Sequence, residues 1–299
     1  MTTESIAAVP LHGPDAQPLL QRVIRTLKDT GFWHATPAHR DLVLHLTADG
    51  TYRVEPQDGD RVVILIEDGV QATILERTNP GHIAIDLLIG ENATITYVSV
   101  SEASVTATRF AHLARDASIR WLDVADGTHV DQHTITYLAG TGADASFASC
   151  FLGTDGQSYR VNSEMIHAGN GSTSNMLTRA ALLDKSTGSY DGLIRILPHA
   201  KGCDAYQRGE FLLLSPDARM RAEPNLEIGN PEVKCSHGVS LTRVDEEQLF
   251  YFLARGIPVD DARRLIVEGF FAKIIDRLPS GAQEIKRLFS KRVSPGGSV

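Results

Sequence analysis

The sequence predicts a mainly β chain framed by helices, and three observations predict it. Short runs rich in aliphatic and β-branched residues recur from about residue 41 to residue 243. Glycine- and Asn/Asp-containing turn signals separate them at short intervals. The intervals leave no room for crossover helices of roughly ten to fifteen residues, which excludes a doubly wound α/β sheet. Sandwich, barrel and solenoid all satisfy this pattern. A solenoid needs only a repeated inward apolar pattern, so the lack of exact sequence repeats does not exclude it.

The elements follow in order. Residues 14–32 read as a helix, with Leu19, Leu20, Val23, Ile24 and Leu27 at helical spacing. Leu42, Leu44 and Leu46 then alternate with other residues, and Val62-Val63-Ile64-Leu65-Ile66 forms a β-rich run. Further strands are expected at 72–75, 83–88, 93–100, 118–124, 133–138, 146–152, 158–166, 175–183, 192–197, 210–214, 226–228 and 233–241. Asp58-Gly59, Asp68-Gly69, Asn79-Pro80-Gly81, Asp126-Gly127, Asp155-Gly156 and Gly169-Asn170-Gly171 supply turns between them.

Near residue 244 the period changes. Asp245 suits an N-cap and Gln248 stands three positions on, close to a capping box. This helix, from Glu246 to Arg255, stops at Gly256, and Ile257-Pro258 follows. A second helix begins near Asp260 or Asp261, with Ala262, Leu265, Ile266, Phe270 and Ile274 on one stripe. Pro279-Ser280-Gly281 ends it, before a short basic helix. The expected organisation is an N-terminal helical segment (1–40), a β core (41–243) and a C-terminal helical region (244–299).

The 299 residues carry a formal charge of −8, which gives no general attraction to nucleic acid or anionic lipid. The basic cluster Lys286, Arg287, Lys291 and Arg292 reads as a solvated helix face. Three cysteines, an odd and low count, argue against a disulfide framework and for a reducing cytoplasm. No basic region followed by an apolar run opens the chain, and no stretch reaches the roughly 18 apolar residues of a membrane span.

Several motifs carry little chemistry. Gly140-Thr-Gly-Ala-Asp-Ala145 has a relaxed dinucleotide spacing, but strand rather than helix follows it, so it reads as a tight turn. No phosphate loop is present, since Lys185-Ser186 lacks the upstream glycines, and there is no nucleophile elbow. Glu164 and His167 share a face only on a helix, and here a strand is expected. His112, His129 and His133 are scattered. Cys150 lies within an alternating apolar strand and reads as core. Cys203, at a strand edge beside Gly202, reads as a structural thiol or a weaker ligand candidate.

Lys234-Cys-Ser-His-Gly238 is the richest stretch. On a strand Cys235 and His237 point to one face, roughly 7 Å apart along the backbone. A thiolate and an imidazole so placed suit zinc or iron, but two ligands do not complete a tetrahedral site. Further ligands must come from elsewhere.

Blocks in this half of the chain resemble the SufB/SufD family of iron–sulfur cluster assembly proteins. They are Asp191-Gly-Leu-Ile-Arg-Ile196, Gly202-Cys-Asp-Ala-Tyr-Gln207, Leu212-Leu-Leu-Ser215, Pro224-Asn-Leu-Glu-Ile228, Val233-Lys-Cys-Ser-His-Gly238 and Asp245-Glu-Glu-Gln-Leu-Phe-Tyr251 leading to Arg255-Gly-Ile-Pro258. The close resemblance covers about 140–278. It implies a right-handed parallel β-helix followed by C-terminal helices. It also implies a non-enzymatic scaffold that dimerises, with itself or a SufB-like paralogue, and binds the ABC-type ATPase SufC through those helices. Such a complex takes sulfur from a donor, carries a transient cluster or iron, and passes it to apo-proteins.

The motif at Cys235 and His237 matches the SufD form. The SufB cysteine upstream aligns with Asp217, and SufB has His-Glu where this chain has His237-Gly238. The metal-handling candidates are therefore Cys235 and His237, with Cys203, Asp217 and Glu227 as weaker members. Leu249, Phe250, Phe252, Phe270 and Phe271 are more aromatic and aliphatic surface than one thin core requires, and are the partner-binding candidates. Two rivals stand beside this reading. One is a carbohydrate-active β-helix enzyme, which needs paired carboxylates across a groove that nothing here singles out. The other is an architectural subunit that holds no metal.

Overall fold

A computed structural model describes residues 6–7, 21, 25, 40–244 and 246–275. The expected basic helix near the C-terminus and the Asp245 cap lie outside them. Of the expected N-terminal helix only residues 21 and 25 are described, and both are helical.

Strands are numbered in chain order and fall into two parallel sheets. Odd strands form one: β1 (Ile6–Ala7), β3 (Gly50–Val54), β5 (Gln71–Thr78), β7 (Thr94–Ser101), β9 (Ser118–Ala125), β11 (Asp144–Gly153), β13 (Thr173–Leu182), β15 (Asp204–Leu213) and β17 (Lys234–Arg243). Even strands form the other: β2 (Arg40–Leu46), β4 (Asp60–Ile66), β6 (Gly81–Ile89), β8 (Val105–Leu113), β10 (His129–Leu138), β12 (Ser158–His167), β14 (Thr187–Ile196) and β16 (Arg219–Ile228). The chain alternates between sheets, so each turn of a parallel β-helix contributes one strand to each.

Alternation explains the core. Inward residues such as Ile64, Ile85, Ile119 and Phe147 are buried between the sheets. Turn length varies: Gly50 pairs with Ala72, 22 residues on, whereas Thr173 pairs with Asp204, 31 residues on. Corners are set by left-handed residues, among them Gly142 (φ 72°) before β11. The Gly140–Ala145 motif is therefore a turn leading into strand, as its context predicts.

Three strands were not expected, β1, β3 and β8; β1 lies within the segment expected to be helical and pairs with β3. β8 presents Ala107, Arg109 and Ala111 inward, which lack the apolar bulk that marks a strand in sequence. Other strands extend beyond their expected starts. β16 begins at Arg219 rather than Leu226, because its first half carries little aliphatic signal.

Helix α1 (Glu246–Leu253) ends in a left-handed Gly256 (φ 78°). Gly256 N–H donates to the Leu253 carbonyl and Ile257 N–H to that of Phe252, which is a Schellman cap. Helix α2 (Val259–Ile275) starts just after Pro258, one residue before the earlier expected start. Val267, Phe271 and Ile274 bury against Leu122, Val124, Ala148, Cys150 and Leu212 on the outer face of the odd sheet. The apolar stripe is turned from its expected line: Leu265 is 43% exposed, while Val267 and Phe271 take the core. Arg179 holds this helix, bonding the Phe270 carbonyl, pairing with Glu210 and lying 5.1 Å from the Phe270 ring centroid.

Inside the apolar lumen runs one polar column. Glu76, Ser99, Asp123, Ser149 and Thr178 follow one another in register along the odd sheet. Arg109, Thr134 and Ser163 follow one another along the even sheet. Burial opposes the Arg109 charge, but Glu76 outweighs it and raises the guanidinium pKa above its ordinary value. Burial, then the Glu76 charge, pushes the Tyr97 phenol up, and burial does the same to Asp123.

Candidate functional site at the open end

β16 and β17 are the last strands of their sheets, so the β-helix ends on them. In β17 the inward positions are Cys235, His237, Val239 and Leu241, in register with Ala205, Gln207, Gly209 and Phe211 of β15. The preceding turn is closed: Gln207 is 0% and Phe211 1% exposed. One turn later Val239 is 40% and Leu241 51% exposed, and across the lumen Ile228 of β16 is 47% exposed. These residues have core chemistry and core orientation but only one neighbouring turn.

Among the described residues, the end face therefore combines an apolar strip with backbone edges of two parallel sheets that no further strand covers, a template for a further strand. Cys235 is half-buried, packed on the last core residues, while His237 is exposed. Burial, then the Asp204 charge, pushes the Cys235 thiol above its ordinary pKa. In the single chain the group is thus a thiol, and a metal ion or a positive partner is needed to favour the thiolate.

The other metal candidates do not join this pair. Cys203 is buried just before β15, with Sγ 3.4 Å from Ser172 Oγ and 3.6 Å from the Gly169 carbonyl, a core contact. Asp217 lies in the exposed turn between β15 and β16. Glu227 points outward on β16 and pairs with Arg195 at 2.5 Å. Among the described residues, no three His, Cys, Asp or Glu side chains are grouped to hold a metal ion. On strand β12, Glu164 pairs outward with His133 at 2.8 Å while His167 faces the core, so these two do not form a shared site.

The partner candidates divide. Phe271 is fully buried under α2, and Phe270 packs beside it under Arg179. Both belong to the helix–sheet core, which removes Phe271 from any partner surface. Phe250 is 69% exposed on α1, with Leu249 and Phe252 half-buried. Sequence reasoning missed Tyr251 and Leu253, which extend the exposed strip at 55% and 47%. It also missed Val239, Leu241 and Ile228, whose alternation reads as ordinary core.

The fold and site define a parallel β-helix protein whose end face carries exposed apolar residues and a Cys-x-His pair, followed by two helices, the first closed by a Schellman cap. The family model for the SUF system FeS cluster assembly SufBD core domain matches residues 52–270, and the chain belongs to that family. The match begins well before the region where the motifs stand out by eye. The chain is 31% identical over 235 residues to the iron-sulfur cluster assembly protein SufD of Bacillus subtilis, covering 74% of this chain and 54% of that protein. It is 30% identical over 230 residues to the SufBD family protein ycf24 of Antithamnion, covering 72% and 77%. With ycf24 of Porphyra purpurea the identity is 26% over 290 residues, 89% of this chain and 59% of the relative. The chain thus spans little more than half the length of two of these three relatives. No helix among the described residues is long and apolar enough to cross a membrane.

Proposed function

We propose that this chain is a scaffold or accessory subunit in SUF-type iron–sulfur cluster assembly, paired through its open end. The observation that carries the proposal is the change along one inward column, from Phe211 at 1% to Leu241 at 51% exposure. An unfinished core beside free sheet edges calls for a second β-helix end, from a copy of this chain or a SufB-like paralogue. A two-fold axis at the seam places two Cys235–His237 pairs together and supplies four ligands, where one chain supplies two. The nascent cluster, or iron, is cargo at this seam, delivered with sulfur from a donor and released to apo-proteins. Helix α1, through Leu249, Phe250 and Phe252, faces a SufC-like ABC ATPase.

The test is the complete complex, purified anaerobically with the ATPase and the paralogue. Leu241→Asp should abolish pairing in light scattering while leaving the far-ultraviolet spectrum unchanged. Cys235→Ala and His237→Ala should each lower bound iron and sulfide without changing mass. Pairing that survives Leu241→Asp overturns the interface. Unchanged iron and sulfide in both single variants leaves the architectural subunit as the correct reading.

A further inference from the structure

Cys150 of β11, Arg179 of β13 and Glu210 of β15 stand in one row on the outer face of the odd sheet. Helix α2 covers the start of this row, where Cys150 is 0% exposed in the cluster it shares with Val267, Phe271 and Ile274. Apolar packing brings α2 onto this face but does not fix its position along it. The hydrophobic effect is non-directional. Leu122, Val124, Ala148, Ala181 and Leu212 offer apolar contact on several successive strands. A helix displaced by one turn, about 5.4 Å, would meet similar atoms.

Arg179 supplies the direction that apolar packing lacks. Its Nη1 donates to the Phe270 carbonyl, its Nη2 pairs with Glu210 Oε2, and the guanidinium lies 5.1 Å from the Phe270 ring centroid. The Arg179 side chain is 6% exposed and that of Glu210 12%. Among the described residues, the bond to Phe270 is the one hydrogen bond between α2 and the β-helix. A carbonyl has two lone pairs, so the Phe270 oxygen accepts it without leaving the helix ladder. The carboxylate is held in turn, with Oε1 2.6 Å from Arg208 Nε. A charge-assisted bond to one particular carbonyl selects one position of the helix, and fixing register is the best-attested use of a buried polar contact.

We infer that Arg179 is the positioning residue of the C-terminal helices: it fixes α2 on the β-helix, and through α2 it sets where α1 presents its exposed face. The chain leaves the sheet at Val244, whose N–H donates to the Leu213 carbonyl. It runs through α1, turns at the Schellman cap and returns over the sheet as α2. Polar contacts thus hold the helical pair at two points, Val244 before α1 and Phe270 within α2. The exposed residues Phe250, Tyr251 and Leu253 lie between these points. The role assigned through α1 rests on the reading that this face receives the ABC ATPase, whereas the anchoring of α2 stands without it.

The test is Arg179→Met in the full chain, which leaves Glu210 its Arg208 partner. Hydrogen exchange read by mass spectrometry and alkylation of Cys150 follow α2, and titration with the ABC ATPase follows α1. Exchange in α2 and labelling of Cys150 should each rise about tenfold or more, the change carried by one lost charge-assisted hydrogen bond. Strands β4 to β12 should keep their protection, and affinity for the ATPase should fall although Phe250 and Tyr251 are intact. Unchanged α2 exchange and Cys150 labelling overturn the inference. So does ATPase affinity that stays native in Arg179→Met but is lost in Phe250→Ser. Release of α2 with native affinity in both variants supports the anchor and refutes α1 as the ATPase face. If Arg179→Met loses protection throughout the β-helix, Arg179→Lys decides on the same readouts. It keeps a charge beside Glu210 but lacks the planar fork that reaches both partners.

Discussion

Arg109 and Glu76 form a two-pronged ion pair in the middle of the β-helix, with Nε–Oε2 at 2.7 Å and Nη2–Oε1 at 2.6 Å. Their side chains are 1% and 0% exposed. Removing one partner leaves the other charge buried and unpaired, which typically destabilises by about 3–5 kcal/mol. Arg109→Met should therefore lower the unfolding free energy by about that amount. The double variant Arg109→Met/Glu76→Gln should recover part of the loss, as measured by denaturant midpoints at constant m. Additive losses would mean that the pair is not coupled.

His167 is a second buried polar residue, with Nδ1 2.8 Å from Ser172 Oγ and Nε2 2.8 Å from Ser174 Oγ. Ser172 donates its own proton to the Gly169 carbonyl, so Nδ1 carries the ring proton and Nε2 accepts. Burial, the main cause, lowers the pKa from 6.5 to about 4. The unfolded chain then binds the extra proton between these values, so stability rises with pH across that window. It is fully present above 6.5 and is lost as pH falls towards about 4. The loss is up to about 3 kcal/mol. Unfolding midpoints at pH 7 and pH 5 should differ in the native protein and differ less in His167→Gln. An equal pH dependence in the two proteins refutes the assignment.

The β-body was legible because Leu42, Leu44 and Leu46, and the runs after them, alternate between marked turns. The internal pairing was not. Arg109 meets Glu76 33 residues away, and turns that grow from 22 to 31 residues give no constant period from which to count that register. The Cys-x-His pair was legible from strand alternation alone. Its surroundings were not, because Val239 and Leu241 have the sequence of core residues and are exposed only by lying on the last strand. On α2 the stripe was broad enough that Leu265 and Phe271 exchanged roles.

The three thiols should separate by reactivity. Cys150 and Cys203 are buried, and burial pushes the Cys150 pKa up. Only Cys235 is accessible, and burial and Asp204 hold its thiol above the ordinary value. Alkylation of the native single chain should label Cys235 alone, more slowly than free cysteine at pH 8, with the rate still rising at higher pH. Asp204→Asn should accelerate it. Peptide mass spectrometry reads the sites, and early labelling of Cys203 would contradict its core placement.

The aromatic residues of the C-terminal helices make the sharpest contrast. Phe271 is fully buried against the sheet beside Leu122, Val124 and Leu212, and Phe250 is 69% exposed on α1. Phe271→Ala should destabilise by about 3–5 kcal/mol, the usual range for a buried Phe→Ala change. Through that loss it should weaken any function of the helical region indirectly. Phe250→Ser should change stability by less than about 0.5 kcal/mol, as exposed substitutions do. If α1 carries the ABC ATPase, Phe250→Ser should nevertheless reduce co-purification with that partner, and Tyr251→Ser should do the same. Denaturation curves and pull-downs on the same preparations separate the two effects. ATPase binding unchanged in the Phe250→Ser/Tyr251→Ser double variant would place that partner elsewhere on the chain.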